Sequence, residues 1–167
     1  MAVTTDVADF ESIRQLAHWT LQRFGRIDTW INNAAESLYA TVEATTPDEY
    51  RRLFDVNFLG MVHGILAALP IFREQGHGHV LQVGSVLSYR GVPYQAAYSA
   101  SKHAVKALTE SLRLEFQCTS PEVHISLVLP GSVDTPLFEN ARSKIGTLPK
   151  GFPPVYAPEV VARAIRQ

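Results

Sequence analysis

The feature that most constrains the fold of this chain is an alternation of short, largely apolar runs with amphipathic segments of helical length. Strands are expected at residues 2–5, 26–31, 79–83 and 123–129, and each is followed by a segment that can form a helix. This order predicts a parallel sheet whose strands are joined by right-handed crossovers. Because the strands are apolar almost throughout, helices should cover both faces of the sheet. The expected fold class is α/β.

The expected helices span roughly residues 9–24, 46–74, 96–117 and 157–167. Asp9 and Thr46 are suited to cap the first two, because their side chains can accept hydrogen bonds from the free N–H groups at a helix start. Pro47 fits a first helical position, and Gly25 fits a helix end. Residues 136–156 carry Pro, Gly and few periodic apolar positions, so we expect a mobile flap there.

Tyr98 and Lys102 are four residues apart in the third expected helix, so their side chains should lie one turn apart on one face. A free tyrosine has a pKa near ~10, and a neighbouring ammonium lowers that pKa. Such a tyrosine is suited to general acid–base catalysis, and Ser85, after the preceding strand, could hold a substrate oxygen. The spacing alone also fits an amphipathic helix with one exposed lysine.

Several polar motifs follow the ends of expected strands. They are Asn32-Asn33, Gly84-Ser85 and Pro130-Gly131, while Tyr98 lies on the helix that comes next. In an open parallel sheet, ligands bind at the edge formed by the carboxyl ends of the strands. The pattern therefore predicts one ligand site at that edge.

A series of polar and glycine-containing motifs runs along the chain in a fixed order. They are Asn32-Asn33-Ala34-Ala35, Asn57, Gly84-Ser85, Tyr98-x-x-x-Lys102 and Pro130-Gly131-Ser132-Val133-Asp134-Thr135. Together they closely resemble the short-chain dehydrogenase/reductase family, single-domain Rossmann enzymes that use NAD or NADP. The resemblance covers residues 1–167 and implies a doubly wound parallel sheet.

The family opens with a strand and a glycine-rich turn that holds the pyrophosphate, and this chain has no such motif. We therefore expect residues 1–167 to be a partial domain that lacks the first two strands and the last strand. The missing neighbour would leave backbone groups of the 26–31 strand unpaired. Expressed alone, the segment is expected to aggregate or to be molten, and to bind NAD(H) or NADP(H) poorly.

The resemblance implies a catalytic role for four residues. Tyr98 would be the general acid/base, Lys102 would lower its pKa and bind the nicotinamide ribose, and Ser85 would polarise the substrate oxygen. Asn57 would distort its helix and hold a water in a proton relay to the lysine. Judged from the residues alone, Tyr98 can also be a packed ring, Asn57 can bond a carbonyl of its helix, and Ser88 rivals Ser85. The family's spacing selects Ser85.

The other cofactor contacts implied by the resemblance form two groups. The adenosine side has Asp6, Val7, Asn33 and Ala34, and the nicotinamide side has Pro130, Gly131, Val133 and Thr135 in addition to Tyr98 and Lys102. Asp6 also fits a simple helix-entry aspartate. Ala35 stands where the family usually has glycine. The choice between NAD and NADP depends on the end of the second strand, which has no counterpart here.

Composition excludes several classes of protein. The formal net charge is −1 without runs of like charge, which disfavours nucleic acid and anionic membranes as partners. The only cysteine, Cys118, cannot form an internal disulfide, which fits a reducing cytoplasm. The apolar stretch 61–72 is too short and too interrupted to span a bilayer. No metal site is expected, because the histidines lack ligand spacing.

The expected function is that of an NAD(P)-dependent oxidoreductase that interconverts an alcohol and a carbonyl in a small-molecule substrate. The alternative is a non-catalytic, truncated protein of the same fold, acting as an interaction partner or an inactive gene fragment. The resemblance implies that residues 86–95 and 136–156 determine substrate specificity. Residues 61–72 and 104–116 carry more apolar residues than one buried helix face needs. Because the family that the chain resembles pairs its corresponding helices across a two-fold axis, the resemblance implies a homodimer or homotetramer of the full-length form. Lys106 is expected to be a solvated surface lysine.

Overall fold

The computed structural model describes residues 2–166. The helices are α1 (Phe10–Phe24), α2 (Pro47–Phe54), α3 (Gly60–Gln75), α4 (Ala96–Thr119) and α5 (Pro158–Ile165). The strands are β1 (Thr29–Asn32), β2 (Leu38–Tyr39), β3 (Gly78–Val83), β4 (Val123–Val128), β5 (Ser132–Val133), β6 (Arg142–Ser143) and β7 (Val155–Tyr156). A π-helical turn, Asp55–Leu59, joins α2 to α3, and a short 3₁₀ turn, Val86–Ser88, follows β3.

The central sheet has three strands in the order β1-β3-β4, all parallel. Val80 pairs with Trp30 on one side and with Ile125 on the other. Val80, Leu81 and Gln82 are all buried, although successive strand residues point to opposite faces. Both faces of β3 are therefore covered, and the expected α/β class with a parallel sheet is confirmed.

One hydrophobic core fills the space between the sheet and the helices. α1 contributes Ile13 and Ala17, α3 contributes Ile65, Ala68, Leu69 and Phe72, and α4 contributes Leu112 and Phe116. These side chains pack against Trp30, Val80, Val123 and Ile125 of the three strands. Pro47–Gln75 is long and apolar enough to pass a length test for a membrane-spanning helix, a test that core helices also pass.

Several expected boundaries are confirmed. Asp9 caps α1 by accepting from the Glu11 N–H, and Gly25 ends that helix with a φ of 78°. Thr46 caps α2 with Pro47 at its start. The helix expected over 46–74 ends close to its predicted end but is interrupted by the π-helical turn.

The strand expected at residues 2–5 is wrong, because these residues form no ladder with a neighbouring strand. A strand exists only through hydrogen bonds to a partner, so local sequence alone does not make one. Residues 136–156, expected to be a mobile flap, contain β6 and β7, which pair with β2 and β5 respectively. These two pairings attach the segment to the rest of the fold.

Candidate active site

Hydrogen bonds continue past the ends of β3 and β4 and bring their following loops together. Gly84 N–H donates to the Val128 carbonyl at 2.8 Å, and Val86 N–H donates to the Pro130 carbonyl at 2.9 Å. A Cβ at Gly84 would lie 2.6 Å from Leu129 Cδ2, so a side chain there would require Leu129 to move. The predicted edge therefore places the segment after Ser85 directly beside Pro130.

Ser85 and Tyr98 meet at this edge. Both are buried, and the Ser85 hydroxyl lies close enough to the Tyr98 phenol to act on its pKa. Ser85 Oγ also accepts from the Leu87 N–H at 3.1 Å. The rival Ser88 uses its buried hydroxyl to accept from the Ser85 N–H at 3.3 Å. Ser88 therefore supports the loop, and Ser85 is the serine that acts on the pKa of Tyr98.

Lys102 lies one turn after Tyr98 in α4 and is only 1% exposed. The alternative with one exposed lysine on an amphipathic helix is therefore wrong. The Lys102 ammonium donates to the Val83 carbonyl at 2.9 Å and lies 5.8 Å from the centroid of the Tyr98 ring. The spacing prediction that the two side chains share one helix face is confirmed.

The electrostatics of this pair differ from the expectation. Burial raises the pKa of Tyr98 to about 12, while the nearby hydroxyl of Ser85 opposes that rise. Burial also lowers the pKa of Lys102 to about 8. The expected lowering of the Tyr98 pKa by Lys102 is wrong for this structure, because the ammonium is directed at Val83 and desolvation disfavours both charged forms.

Asn57 lies in the π-helical turn and is fully buried. Its Oδ1 accepts from the Glu36 N–H at 2.8 Å, and its Nδ2 donates to the Glu36 carbonyl at 2.9 Å and to Ser101 Oγ at 3.1 Å. Ser101 in turn donates to the Tyr98 carbonyl at 2.7 Å. The alternative of a side chain bonded within its own helix is wrong. Asn57 instead connects the segment after β1 to the turn that carries Tyr98.

The residues expected on the adenosine side are only partly brought together. Val7, Asn33 and Ala34 line a cavity of about 150 Å³ beside β1. Asp6 is not among its lining residues; it is exposed, and its carboxylate accepts from the Ala8 N–H at 3.0 Å. The helix-entry alternative therefore describes the contacts of Asp6 in this structure.

The expected nicotinamide-side residues follow β4 at the same edge. Pro130 is fixed through its carbonyl by Val86, and Val133 lies in β5, which pairs with β7. Thr135 Oγ1 donates to the Val133 carbonyl at 3.4 Å. Gly131 is exposed, and a Cβ there would have no contact closer than 3.9 Å. The backbone at Gly131 is thus open to approach.

Asn32 ties the sheet to α3 through a buried polar network. Its Oδ1 accepts from Trp30 Nε1 at 2.9 Å, and its Nδ2 donates to Gln82 Oε1 at 2.8 Å and to the Met61 carbonyl at 3.2 Å. A side chain at Gly64 would collide with Asn32 Oδ1, because its Cβ would lie 2.1 Å away. The network fixes the end of β1 where Asn33 and Ala34 begin.

Sequence reasoning missed Tyr39 and misjudged Lys106. Tyr39 in β2 is buried, and its phenol is close enough to Tyr98 for its charge to raise the Tyr98 pKa. No motif marks it. Lys106 is only partly exposed, because it pairs with Glu110 at 2.6 Å and lies 4.6 Å from the centroid of the Tyr89 ring. Within residues 2–166, no group of three or more His, Cys, Asp or Glu could hold a metal ion.

Comparison with known proteins agrees with this geometry. The family model for short chain dehydrogenase matches residues 1–146. The uncharacterized oxidoreductase YxnA of Bacillus subtilis is 37% identical over 165 residues, which cover 98% of this chain and 46% of that protein. Levodione reductase of Leifsonia aquatica is 33% identical over 146 residues, covering 87% of this chain and 54% of the relative. The chain thus spans about half the length of these relatives.

Solved structures agree as well. An alcohol dehydrogenase from Thermococcus sibiricus, complexed with 5-hydroxy-NADP, superposes with a TM-score of 0.81 at 28% identity, over 97% of this chain and 65% of that one. A short chain dehydrogenase/reductase from Burkholderia phymatum in complex with NAD gives 0.82 at 28% identity, over 99% and 59% respectively. Both are parallel-sheet Rossmann enzymes, and the family uses NAD or NADP. The chain belongs to the short-chain dehydrogenase family.

Proposed function

We propose that this chain carries the proton-transfer part of an NAD(P)-dependent oxidoreductase that interconverts an alcohol and a carbonyl in a small molecule. One observation carries the proposal: the side chains of Ser85 and Tyr98 are both buried and lie close enough for Ser85 to act on the pKa of the phenol, with buried Lys102 one turn away. A hydroxyl pair at the carboxyl edge of a parallel sheet is where a substrate oxygen can be held and protonated.

In the proposed mechanism a carbonyl oxygen of the substrate binds between the two hydroxyls. Ser85 donates a hydrogen bond that polarises the carbonyl, and Tyr98 transfers its proton to the developing alkoxide. In the reverse direction Tyr98 removes the proton from an alcohol. When bound, the nicotinamide cofactor supplies or accepts the hydride. Burial raises the pKa of Tyr98, so its phenol is protonated at neutral pH and can donate a proton when a carbonyl is reduced.

Lys102 is suited to bind the cofactor's ribose. An ammonium has three N–H donors, and among the described residues only the Val83 carbonyl accepts one. The other donors are available for ribose hydroxyls. Around the nicotinamide, the open backbone at Gly131 together with Pro130, Val133 and Thr135 would receive the ring and its carboxamide. These residues fit the nicotinamide half of the cofactor.

The adenosine half would be bordered by Val7, Asn33 and Ala34, which line the cavity beside β1. Asp6 would need to give up its contact with the Ala8 N–H to join them. Asn57 would act by fixing the turn of Tyr98 through Ser101 and by holding a water that leads to Lys102. The protein is proposed to be cytoplasmic and to form a homodimer or homotetramer when full-length.

A non-catalytic role in pairing with another chain is the second candidate. β1 is an edge strand of the sheet, and Ile31 on it is 46% exposed. An apolar strand edge of this kind can pair with another strand. This role needs neither Tyr98 nor Lys102, so kinetics separate the two candidates.

The test is steady-state turnover of the full-length protein with NADH and NADPH against a panel of ketones and aldehydes, followed by nicotinamide absorbance. Turnover that is lost in Tyr98→Phe and kept in Tyr50→Phe supports the oxidoreductase. Tyr50 is a suitable control because it is partly buried against Leu38 and Leu53, in a separate apolar cluster. A protein that oxidises neither cofactor with any carbonyl would contradict the proposal.

A further inference from the structure

Glu49, in the first turn of α2, has a side chain that is only 8% exposed. Glutamate is rarely buried unless it is paired. Part of the reason is local, because Glu49 Oε2 accepts from the Thr46 N–H at 2.8 Å while Thr46 Oγ1 accepts from the Glu49 N–H at 3.3 Å. This capping box satisfies the helix start. The capping box uses only one acceptor position of the carboxylate, on Oε2. Oε1 and the other acceptor position of Oε2 need further partners in a buried site.

Two cations from the distant segment 142–144 meet the same carboxylate. Arg142 Nη2 lies 2.9 Å from Oε1, and Lys144 Nζ lies 2.7 Å from Oε2. Lys144 Nζ also donates to the Ala44 carbonyl at 2.7 Å, in the loop before α2. The hydrogen bond to Lys144 is the main reason why the pKa of Glu49 is lowered to about 2. Glu49 therefore stays ionised across the whole working range of pH.

The same segment forms β6 and pairs with β2. Arg142 N–H donates to the Ser37 carbonyl at 3.1 Å, and Lys144 N–H donates to the Tyr39 carbonyl at 2.8 Å. On its other side β2 contacts the loop before α4, where Ala40 N–H donates to the Tyr94 carbonyl at 2.9 Å. The order is thus β6, then β2 with Tyr39, then the loop that leads into Tyr98.

We propose that Glu49 is a positioning residue for the substrate, because its carboxylate holds Arg142 and Lys144 and so keeps β6 against β2 beside Tyr98. The proposal rests on the oxidoreductase function, since it assigns β6 and Tyr39 to the substrate side of that site. Glu49 contacts no reacting atom. It affects the substrate only through β6 and β2, whose pairing it stabilises.

Two substitutions test the charge without removing the helix cap. Glu49→Gln keeps the shape and an oxygen that can accept from the Thr46 N–H, since glutamine also serves in a capping box. Lys144→Met removes the ammonium from the other side and keeps most of the stem. Asp48→Asn is the matched control, because its carboxylate lies on the same turn in an exposed pair with Arg51.

Two measurements on the full-length protein are needed: amide hydrogen exchange and steady-state kinetics. In Glu49→Gln and Lys144→Met, we expect faster exchange at the amides of Arg142 and Lys144 and unchanged exchange at Gly84 in the central sheet. The KM for the carbonyl substrate should rise several-fold, with kcat and the KM for the cofactor little changed. The effects of the two substitutions should be less than additive in the double variant, because both remove the ion pair between Glu49 and Lys144.

Unchanged exchange at both amides would overturn the proposal. So would faster exchange in an active enzyme whose substrate KM does not change, or an equal effect of Asp48→Asn. A full-length protein that turns over no carbonyl would overturn the proposed function and with it the substrate role of Glu49. In that case the exchange data would still decide whether Glu49 holds β6, so the two failures are distinguishable.

Discussion

The ammonium of Lys102 is directed at the carbonyl oxygen of Val83, 2.9 Å away, at the last residue of β3. The contact places a buried cation at the carboxyl edge of the sheet with Tyr98 one turn before it. No carboxylate pairs with this ammonium among the ion pairs of residues 2–166. Its charge is therefore costly in the absence of a cofactor, and this cost is measurable.

Lys102→Met should stabilise the cofactor-free protein at pH 7 and abolish turnover. The pKa of Lys102 falls from 10.5 to about 8 on folding. Between these pH values the unfolded chain binds more protons than the folded one, so wild-type stability should rise with pH through this window. A shift of this size corresponds to roughly 3 kcal/mol. Denaturant unfolding at pH 7 and pH 9.5 measures the free energy of unfolding.

The pH slope is the sharper part of this prediction. Lys102→Met should lose the rise between pH 7 and pH 9.5, whereas Lys106→Met should keep it, because Lys106 is paired with Glu110 at the surface. Equal slopes in wild type and Lys102→Met would show that the lysine carries no such cost.

Tyr98→Phe should lower kcat by at least ~10²-fold, the low end for losing a general acid–base group. The ring stays buried, so the fold and the KM for the cofactor should change little. Steady-state kinetics with cofactor and a reducible carbonyl give both constants. Near-native turnover by this variant would remove Tyr98 from the mechanism.

Asn57→Ala should destabilise the protein by about 2 kcal/mol or more. The change leaves the N–H and the carbonyl of Glu36 without the side chain that satisfies them, and each unmade buried hydrogen bond costs about 1–3 kcal/mol. Asn140→Ala, an exposed change, should stay within about 0.5 kcal/mol of wild type. A matching small effect at Asn57 would mean that the turn relaxes freely.

The sequence predicted the parallel sheet and the helix face of Tyr98 and Lys102, because both depend on local periodicity and spacing. The electrostatic outcome was not predictable in the same way. Whether Lys102 lowers the pKa of Tyr98 depends on where its ammonium points and on how much water remains. The direction of the ammonium is set by its hydrogen bond to the Val83 carbonyl. The loss of water around it follows from the packing of α4 on the sheet.

Contacts between segments that are distant in the chain could not be predicted either, because they also depend on the three-dimensional arrangement. Glu49 and Arg142 are 93 residues apart in the chain, and nothing in either segment marks the other as its partner. The pairing of β6 with β2 joins two-residue strands, which are too short to leave a periodic signal. At residues 2–5 a strand was predicted that the structure does not form, since a strand-like composition does not provide a strand to pair with.

Self-association should depend on the outer faces of α3 and α4. Leu66 is 52% exposed and Leu114 is 65% exposed, each on a helix whose other face is buried in the core. An exposed leucine on each of two helices is suited to a closed, symmetric interface, and a buried unpaired charge there would be costly. Leu66→Glu and Leu114→Glu should therefore reduce the mass of the full-length protein measured by sedimentation velocity at micromolar concentration. Val42→Glu, an exposed change in the loop before α2, should leave it unchanged. A monomeric mass for the wild type at that concentration would contradict the prediction.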